Sequence, residues 1–304
     1  MEQIVSIIFS ADFIFSVVRL STPILFATMA VLISDRAGVT NIAVEGTMLF
    51  AALMGVIGSA YGGNVWTGLL VAVLSGILFS GIIAFFHLKL ETDIVLTGIA
   101  LNLMASGLTI FILYLLTGDK GVSTGLNSKT VPNIHIPVLR SIPVLGEMLS
   151  GHSVLTYLAF VVIAIITVFL KKTRLGTYIR AAGENAEAID TAGISVKVVR
   201  LKALLISGAI AGLGGAFMSM SYVSMFTKDM VAGRGFIALA AEAMGHGNPI
   251  LSTLSALFFG AADALSNNLQ LFNFPSELTR LMPYALTIIA LTFYAARAKK
   301  QLKK

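Results

Sequence analysis

The chain has 304 residues, of which 57% are hydrophobic and only 12% are charged, about half the charged share of an ordinary soluble domain. With a mean hydropathy of +0.90, this composition argues against a soluble protein and predicts one polytopic membrane domain over residues 1–304. The net charge of +6 fits basic loops on one side of a membrane, without nucleic acid as a partner, and the absence of cysteine excludes disulfides and thiolate metal sites.

Apolar segments of the length that a bilayer requires recur along the chain. They predict an all-α fold, a polytopic transmembrane bundle of eight to ten spans. The first apolar tract is interrupted by Asp12, Arg19 and Pro23, so we interpret it as an amphipathic segment followed by a span that begins near Val17. The predicted spans are 17–33, 47–61, 66–86, 94–116, 154–170, 203–226, 250–271 and 278–296, and the segment 235–248 is too short for an ordinary span.

Residues 118–152 form a long segment between two predicted spans, with few charges and with Pro132, Pro137 and Pro143. Counting spans from the basic segment 171–202 places this loop on the outer side of the membrane. Two interpretations stay open: the loop is a plain connector, or it is a surface for an extracytoplasmic partner.

The segment 171–202 is the longest polar stretch, with seven lysine and arginine residues against three acidic ones. Because Lys and Arg are retained on the cytoplasmic side during insertion, we predict a cytoplasmic loop. Its middle, Ala181–Thr191, is rich in alanine, has acidic residues early and is followed by Gly193, which is the pattern of a short helix with a glycine stop. An ordered helix between two spans indicates a docking site for a partner protein.

Two segments match each other as A-G-x-x-x-I-A-[V/L]: Ala37–Val44 and Ala232–Leu239. A chance match in an Ala/Gly-rich chain stays open. The span count, however, places the first copy toward the inside and the second toward the outside. This predicts an inverted internal repeat, the arrangement in which interrupted helices of two halves meet at a solute pathway.

Polar side chains within spans are costly, and they face a cavity or one another. Asp35 and Arg36 are interpreted as anchors at the membrane interface. For a second group, lining a substrate pathway and hydrogen bonding between packed helices stay equally open. This group is flanked by apolar residues on both sides and consists of Asn41, Glu45, Asn102 and Glu242.

No recognisable set of catalytic residues occurs in the sequence. The P-loop and the zinc-protease motif are missing, so the chain is predicted to be non-catalytic and not to bind ATP through a P-loop of its own. The four histidines show no ligand spacing, and no metal site is predicted.

Four segments resemble the permease subunits of bacterial ABC importers, the group that serves ribose, branched-chain amino acids and nucleosides. The resemblance covers nearly the whole chain, and the runs TGIALNL and GRGFIALAA and the residues around Asn41–Gly46 are its most specific parts. These runs are closest to the nucleoside branch. The segments are SDRAGVTNIAVEGTMLFAALMGV (Ser34–Val56), TDIVLTGIALNLMASGLT (Thr92–Thr109), RAAGENAEAIDTAGISV (Arg180–Val196) and GRGFIALAAEAMGHGNP (Gly233–Pro249).

The resemblance implies a non-catalytic permease that pairs with a second homologous permease chain, in the manner of a heterodimer. It further implies a cytoplasmic ABC ATPase with two cassettes, which binds ATP and Mg²⁺, and an extracytoplasmic substrate-binding lipoprotein, whereas this chain binds no cofactor. The 181–193 segment is similar to the coupling helix that fits a groove of the ATPase. The implied coupling residues are Ala181, Ala182, Gly183, Glu184, Asn185, Ala188 and Gly193.

The function expected from these observations is nucleoside import across the bacterial inner membrane by an ATP-driven transporter. Nucleosides are uncharged, so a cavity with a few hydrogen-bonding groups suits them better than a ring of charges. One alternative is the same architecture carrying a simple sugar such as ribose. Another is a secondary transporter driven by an ion gradient, with Glu45 or Glu242 as proton carrier. Ribose permeases of the group have an additional N-terminal span that is short or missing here, which leaves the span count open.

Overall fold

The computed structural model describes residues 10–135 and 148–270, together with residues 285 and 292. Ten α-helices lie wholly within the two long ranges, which contain no strand beyond two isolated β-bridges. The helices are α1 (Ala11–Asp35), α2 (Val44–Gly62), α3 (Val65–Ala84), α4 (Ile94–Thr117), α5 (Val154–Lys172), α6 (Arg174–Glu184), α7 (Ala186–Thr191), α8 (Val196–Phe217), α9 (Arg234–Gly245) and α10 (Pro249–Gln270).

Within the described ranges, seven helices are long and apolar enough to cross a membrane: α1, α2, α3, α4, α5, α8 and α10. Two of them, α3 and α8, continue into π-helical turns of five residues, at Phe85–Lys89 and Met218–Tyr222. The prediction of a polytopic helical bundle is confirmed. The last predicted span, 278–296, lies outside the described residues.

The first span begins earlier than the sequence predicts. Ser10 caps α1 by accepting a hydrogen bond from the backbone of Phe13 at 3.1 Å, and the helix then runs unbroken to Asp35. Pro23 lies inside α1, where every residue from Leu20 to Ser34 is buried. Proline is tolerated within such spans because neighbouring helices surround the helix and satisfy the freed backbone groups. Interpreting Pro23 as an interruption was therefore wrong.

The centre of the bundle is α8, which packs against α1, α2 and α3. Its glycines allow this close approach. A Cβ atom at Gly212 would lie 2.6 Å from the carbonyl oxygen of Ala72, and one at Gly208 would overlap the backbone of Gly76 on the facing helix α3. With small residues on both sides, the backbones come into direct contact, and dispersion forces act over the whole length of the helix pair.

The two long polar segments lie at opposite ends of the bundle, because α5 connects them. Its nineteen residues, Val154–Lys172, span about 28 Å, which is the thickness of a bilayer core. At the 118–152 end, the backbone N–H of Val131 donates to the carbonyl oxygen of Met220 at 2.8 Å, and that of Lys228 donates to Gly121 at 2.7 Å. These bonds fasten the described part of the loop to the segment that follows α8.

Candidate functional site

The candidate site is built around α9, a helix of only twelve residues. It spans about 18 Å, too short to cross the hydrocarbon core. The chain enters it through Gly233, with φ of +80°, and leaves it through His246 and Gly247, with φ of +50° and +64°. Left-handed residues at both ends make α9 an interrupted helix, and its free backbone N–H and C=O groups need partners from elsewhere.

The N-terminal end of α9 is capped by Glu45, which lies in the first turn of α2. The carboxylate accepts hydrogen bonds from the backbone N–H of Gly233 at 2.8 Å and of Gly235 at 2.7 Å. A carboxylate at this position satisfies two unpaired donors and also opposes the positive end of the helix dipole. Gly235 has no space for a side chain, since a Cβ there would lie 2.7 Å from the backbone of Glu45.

The C-terminal end of α9 is held by Arg36, which follows α1. Its Nε donates to the carbonyl oxygen of Gly247 at 2.7 Å and its Nη2 donates to that of His246 at 3.1 Å. A guanidinium suits this end because unpaired carbonyls carry the negative end of the dipole. The short segment 36–45 therefore supplies an anion to one end of α9 and a cation to the other, and we call it the α9 clamp.

A buried ion pair adds a third attachment at the start of α9. Arg234 and Asp263 of α10 lie 3.6 Å apart, with only 15% and 12% of their side chains exposed. Arg234 also donates to the carbonyl oxygen of Val231 at 3.1 Å. Removing one member of such a pair would leave a charge unpaired within the bundle, so the pair fixes α10 relative to α9.

Asn102 of α4 holds the other part of the clamp. Its Nδ2 donates to the carbonyl oxygen of Ile42 at 3.0 Å, and its Oδ1 accepts from the backbone N–H of Gly46 at 2.7 Å. The side chain thus spans the first turn of α2, and Gly46 allows the approach because it has no Cβ. Since Glu45 lies next to Gly46, Asn102 positions the residue that caps α9.

Asn41 and Glu242 are the two most deeply buried of the four predicted pathway residues. Asn41 is fully buried, and its Nδ2 donates to the hydroxyls of Ser80 at 3.2 Å and Ser207 at 3.0 Å, which joins the clamp to α3 and α8. Glu242 lies on α9 with 5% of its surface exposed, and its Oε1 has no hydrogen-bond partner in the described part of the chain. The structure therefore brings three of the four residues together at the clamp: Asn41 and Glu45 belong to it, and Asn102 is hydrogen-bonded to it.

The two repeat segments meet at the clamp, because Glu45 directly follows the first copy and Gly233 and Gly235 belong to the second. The corresponding glycines, Gly38 and Gly233, share left-handed φ values of +73° and +80°. The helices start at different repeat positions, however, at Val44 in the first copy and at Arg234 in the second. The local structures therefore agree only at the glycine turn, and the inverted orientation stays a prediction.

The predicted coupling segment differs from the sequence interpretation in one respect. Instead of a single helix over Ala181–Thr191, the structure has α6 and α7, separated at Asn185, whose backbone is extended. The side chain of Asn185 accepts a hydrogen bond from the N–H of Ala188 at 3.1 Å, so it ends one helix and caps the next. The expected stop is confirmed, because Gly193 follows α7 with φ of +78°.

The proposed coupling residues divide into an exposed and a buried set. Ala182 is buried and Ala181 is half-buried. The inward side of the segment is completed by Ile179 and Ile189, which pack against the bundle. The side chains on the outward side are free to meet a partner protein. The exposed residues of the predicted set are Gly183, Glu184, Asn185, Ala188 and Gly193.

The predicted coupling segment, residues 181–193, contacts the α9 clamp directly. A Cβ at Gly183 would overlap the carbonyl of Arg36 and would lie 3.1 Å from the nitrogen of Gly38. Arg200 of α8 donates from Nε to the carbonyl oxygen of Ala37 at 3.2 Å. A polar cleft of about 200 Å³ opens beside these contacts. Its walls include Asp35, Arg36, Arg180, Gly183, Glu184 and His246.

Sequence reasoning missed Arg36 as part of this site, because an arginine at the end of a span is usually an interface anchor. The signal that could have found it is the GHGNP run after α9. Two consecutive left-handed residues, His246 and Gly247, leave carbonyls without helical partners, and a nearby guanidinium satisfies them. Asp35, the last residue of α1, accepts a hydrogen bond from the hydroxyl of Thr40 in the clamp at 2.6 Å.

This geometry defines a class: a polytopic helical membrane protein with an interrupted helix held between its spans and an ordered helical segment at one membrane surface. The family model described as "Branched-chain amino acid transport system / permease component" matches residues 13–291. The chain therefore belongs to this family of transport permeases.

Relatives with assigned names are similar over most of their length. The guanosine ABC transporter permease protein NupQ of Bacillus subtilis is 36% identical over 97% of this chain and 94% of its own. The nucleoside ABC transporter permease protein NupC of Lactococcus lactis is 32% identical over 91% of this chain and 90% of its own. TsgC13 of Haloferax volcanii, provisionally named a glucose ABC transporter permease, is 33% identical over 84% of this chain and 77% of its own.

Among solved structures, a metal-chelate type ABC transporter in an inward-facing conformation has the same fold. Its TM-score is 0.52, and the similarity covers 92% of this chain and 84% of that chain at 14% sequence identity. At this identity the likeness concerns the fold alone. It agrees with a helical permease and is silent on the solute that is carried.

Proposed function

We propose that this chain is the membrane-spanning permease subunit of an ATP-driven importer and that its solute is a nucleoside. The observation that carries the proposal is the near full-length identity of 36% and 32% with permeases named for guanosine and nucleosides. The chain is a multi-pass membrane protein, with seven spanning helices in its described part. The proposed location is the bacterial inner membrane.

The proposed complex has three kinds of component. Two homologous permeases form the pathway, a cytoplasmic ATPase with two cassettes binds ATP and Mg²⁺, and a lipoprotein delivers the solute on the outer side. In this arrangement the permease itself is not an enzyme. The exposed face of α6 and α7 would fit the ATPase, and residues 118–152 would contact the lipoprotein.

The contacts of α6 support a path for the movement that ATP binding causes. Gly183 packs on the backbone of Arg36 and Gly38, so a displacement of α6 pushes directly on the α9 clamp. Arg36 and Glu45 then move both ends of α9 together, because each holds one end by two hydrogen bonds. We propose that α9 is the element that rearranges when the pathway changes its access.

The four predicted pathway residues would contribute unequally under this proposal. Asn41 already uses its amide nitrogen to contact α3 and α8, and this contact favours a packing role. Asn102 and Glu45 are half-buried and control the start of α9. Asn41 and Glu242 each carry a buried oxygen atom with no hydrogen-bond partner among the described residues. Glu242 lies on α9 itself, so it is the better placed of the two to bind a hydroxyl or base edge when α9 moves.

The proposal is tested by uptake of radiolabelled guanosine and of radiolabelled ribose, in cells with and without this chain. Each measurement is repeated after ATP depletion and after addition of a protonophore. We expect deletion to abolish guanosine uptake, and we expect uptake to fail after ATP depletion but to persist with the protonophore while ATP is maintained.

A second candidate solute is a simple sugar, since the 33% identity with TsgC13 is close to that with NupC. Loss of ribose uptake with normal guanosine uptake would keep the ATP-driven permease and replace the solute. Uptake that survives ATP depletion and stops with the protonophore would contradict the ATP-driven mechanism. It would favour an ion-coupled carrier instead.

A further inference from the structure

An apolar groove lies on the surface where α3 ends and α8 begins. It has a volume of about 520 Å³. Its walls are the side chains of Ala84, Phe85 and Leu88 on one side and of Val198 and Leu201 on the other. The groove is separate from the α9 clamp and from the polar cleft beside it, which share no lining residue with it.

The groove is open and apolar along its length. Phe85 is 48% exposed, Val198 is 46% exposed and Leu201 is 38% exposed. A Cβ atom at Gly81 would meet only the side chain of Leu205, at 3.6 Å, so the floor has room for a ligand. In a membrane, an exposed apolar groove of this kind is filled by a hydrocarbon chain.

Two lysines, Lys89 and Lys197, lie at the rim of the groove. The Nζ of Lys89 lies 5.4 Å from the centre of the Phe85 ring. The Nζ of Lys197 lies 3.5 Å from a carboxylate oxygen of Glu91, and the two side chains are 70% and 79% exposed. Ion pairs as exposed as this one contribute little, so Lys197 can exchange Glu91 for another anion.

The rim lies at the membrane surface that carries the basic segment 171–202, because Lys197 belongs to that segment and opens α8. Lysines and arginines are retained on the cytoplasmic side, where the leaflet is rich in anionic lipids. Basic pockets between spans on this side are suited to anionic headgroups. We propose that the groove binds one anionic phospholipid, with its acyl chain along the apolar walls and its phosphate between Lys89 and Lys197.

The absence of cysteine from the chain makes a direct test practical. The variant Val198→Cys introduces the chain's single thiol into the groove wall, where a fluorescent bimane label is attached. The labelled full-length chain is reconstituted in phosphatidylcholine vesicles that contain either brominated phosphatidylglycerol or brominated phosphatidylcholine as quencher. We expect phosphatidylglycerol to quench the label at lower mole fractions than phosphatidylcholine.

Removal of the rim charges should remove this preference. The changes Lys89→Ala and Lys197→Ala, in the Val198→Cys background, are each expected to weaken phosphatidylglycerol binding about five-fold. Lys202→Ala is the matched control, because Lys202 is an exposed lysine on α8 that does not line the groove. Glu91→Gln should leave the preference intact or increase it, since the competing carboxylate is neutralised.

Three outcomes would overturn the proposal. Equal quenching by both lipids would show that the lysines do not select an anion. A label shielded from both lipids, in the chain alone or in the assembled importer, would show that protein covers the groove. An equal effect of Lys202→Ala and Lys197→Ala would show a general surface charge effect rather than a site.

Discussion

At the scale of the residue, Glu45 is the side chain on which the geometry of the α9 clamp depends most. Its two oxygens accept from two backbone donors, of Gly233 and Gly235, at 2.8 Å and 2.7 Å. No neutral side chain of the same shape does this, because an amide has one acceptor oxygen and presents a donor in place of the other. The contact is therefore specific for a carboxylate.

We predict that Glu45→Gln lowers the stability of the folded protein by about 2 kcal/mol, the range of a hydrogen bond to a charged group. Solute uptake should fall while the protein is still inserted. The measurement is thermal denaturation of the purified protein in detergent, together with uptake in cells. Glu91→Gln is the control, because Glu91 is exposed and makes only a surface ion pair. Equal stabilities of the two variants would contradict the capping role.

At the scale of the element, α9 was only partly predictable from the sequence. The run from Gly235 to Asn248 is too short for a span, and the glycines beside it indicate breaks, so an interrupted helix could be inferred. Its partners could not be inferred, because they come from residues about 190 and 210 positions away in the chain. Only the folded bundle brings Arg36 and Glu45 to the two ends.

The same limit applies to the coupling segment and to the polar residues. Local composition was sufficient to predict the helical character of Ala181–Thr191 and the stop at Gly193. It missed the break at Asn185, since asparagine both tolerates a helix and caps one. For Asn41, the sequence left packing and pathway lining open, because its contacts with Ser80 and Ser207 are made with helices that are far from it in sequence.

The contribution of Arg36 to holding the C-terminal end of α9 can be separated from backbone strain by comparing alanine substitutions at two glycines with nearly the same φ. Gly247 and Gly63 have φ of +64° and +65°, so alanine costs each about 1 kcal/mol. A Cβ at Gly63 meets nothing within 4 Å, whereas one at Gly247 overlaps the Nε of Arg36. We predict that Gly247→Ala destabilises the protein by about 1–3 kcal/mol more than Gly63→Ala, since two carbonyls lose their donor. Equal denaturation midpoints would show that Arg36 does not hold α9.

At the scale of the whole molecule, a short series of direct contacts connects one membrane surface with the bundle interior. The outward face of α6 and α7 is free for a partner, and Gly183 on α6 packs on the turn at Arg36 and Gly38. From there the clamp reaches both ends of α9. Each step is a direct backbone contact or a hydrogen bond, so a shift of α6 would act on α9 through the clamp.

This connection predicts different defects for two glycines of the coupling segment, within the proposed ATP-driven importer. Gly183→Val should separate α6 from Arg36, so the ATPase still co-purifies with the permease but solute uptake is lost. Gly193→Val should instead disorder the end of α7, since φ of +78° is strained for valine although the space around it is open, and should weaken co-purification itself. Gly118→Val is the control, because Gly118 has φ of +73°, equally open surroundings and a position at the opposite end of the bundle. Normal uptake with Gly193→Val would argue against a coupling role, and normal uptake with Gly183→Val would show that movement reaches α9 by another route.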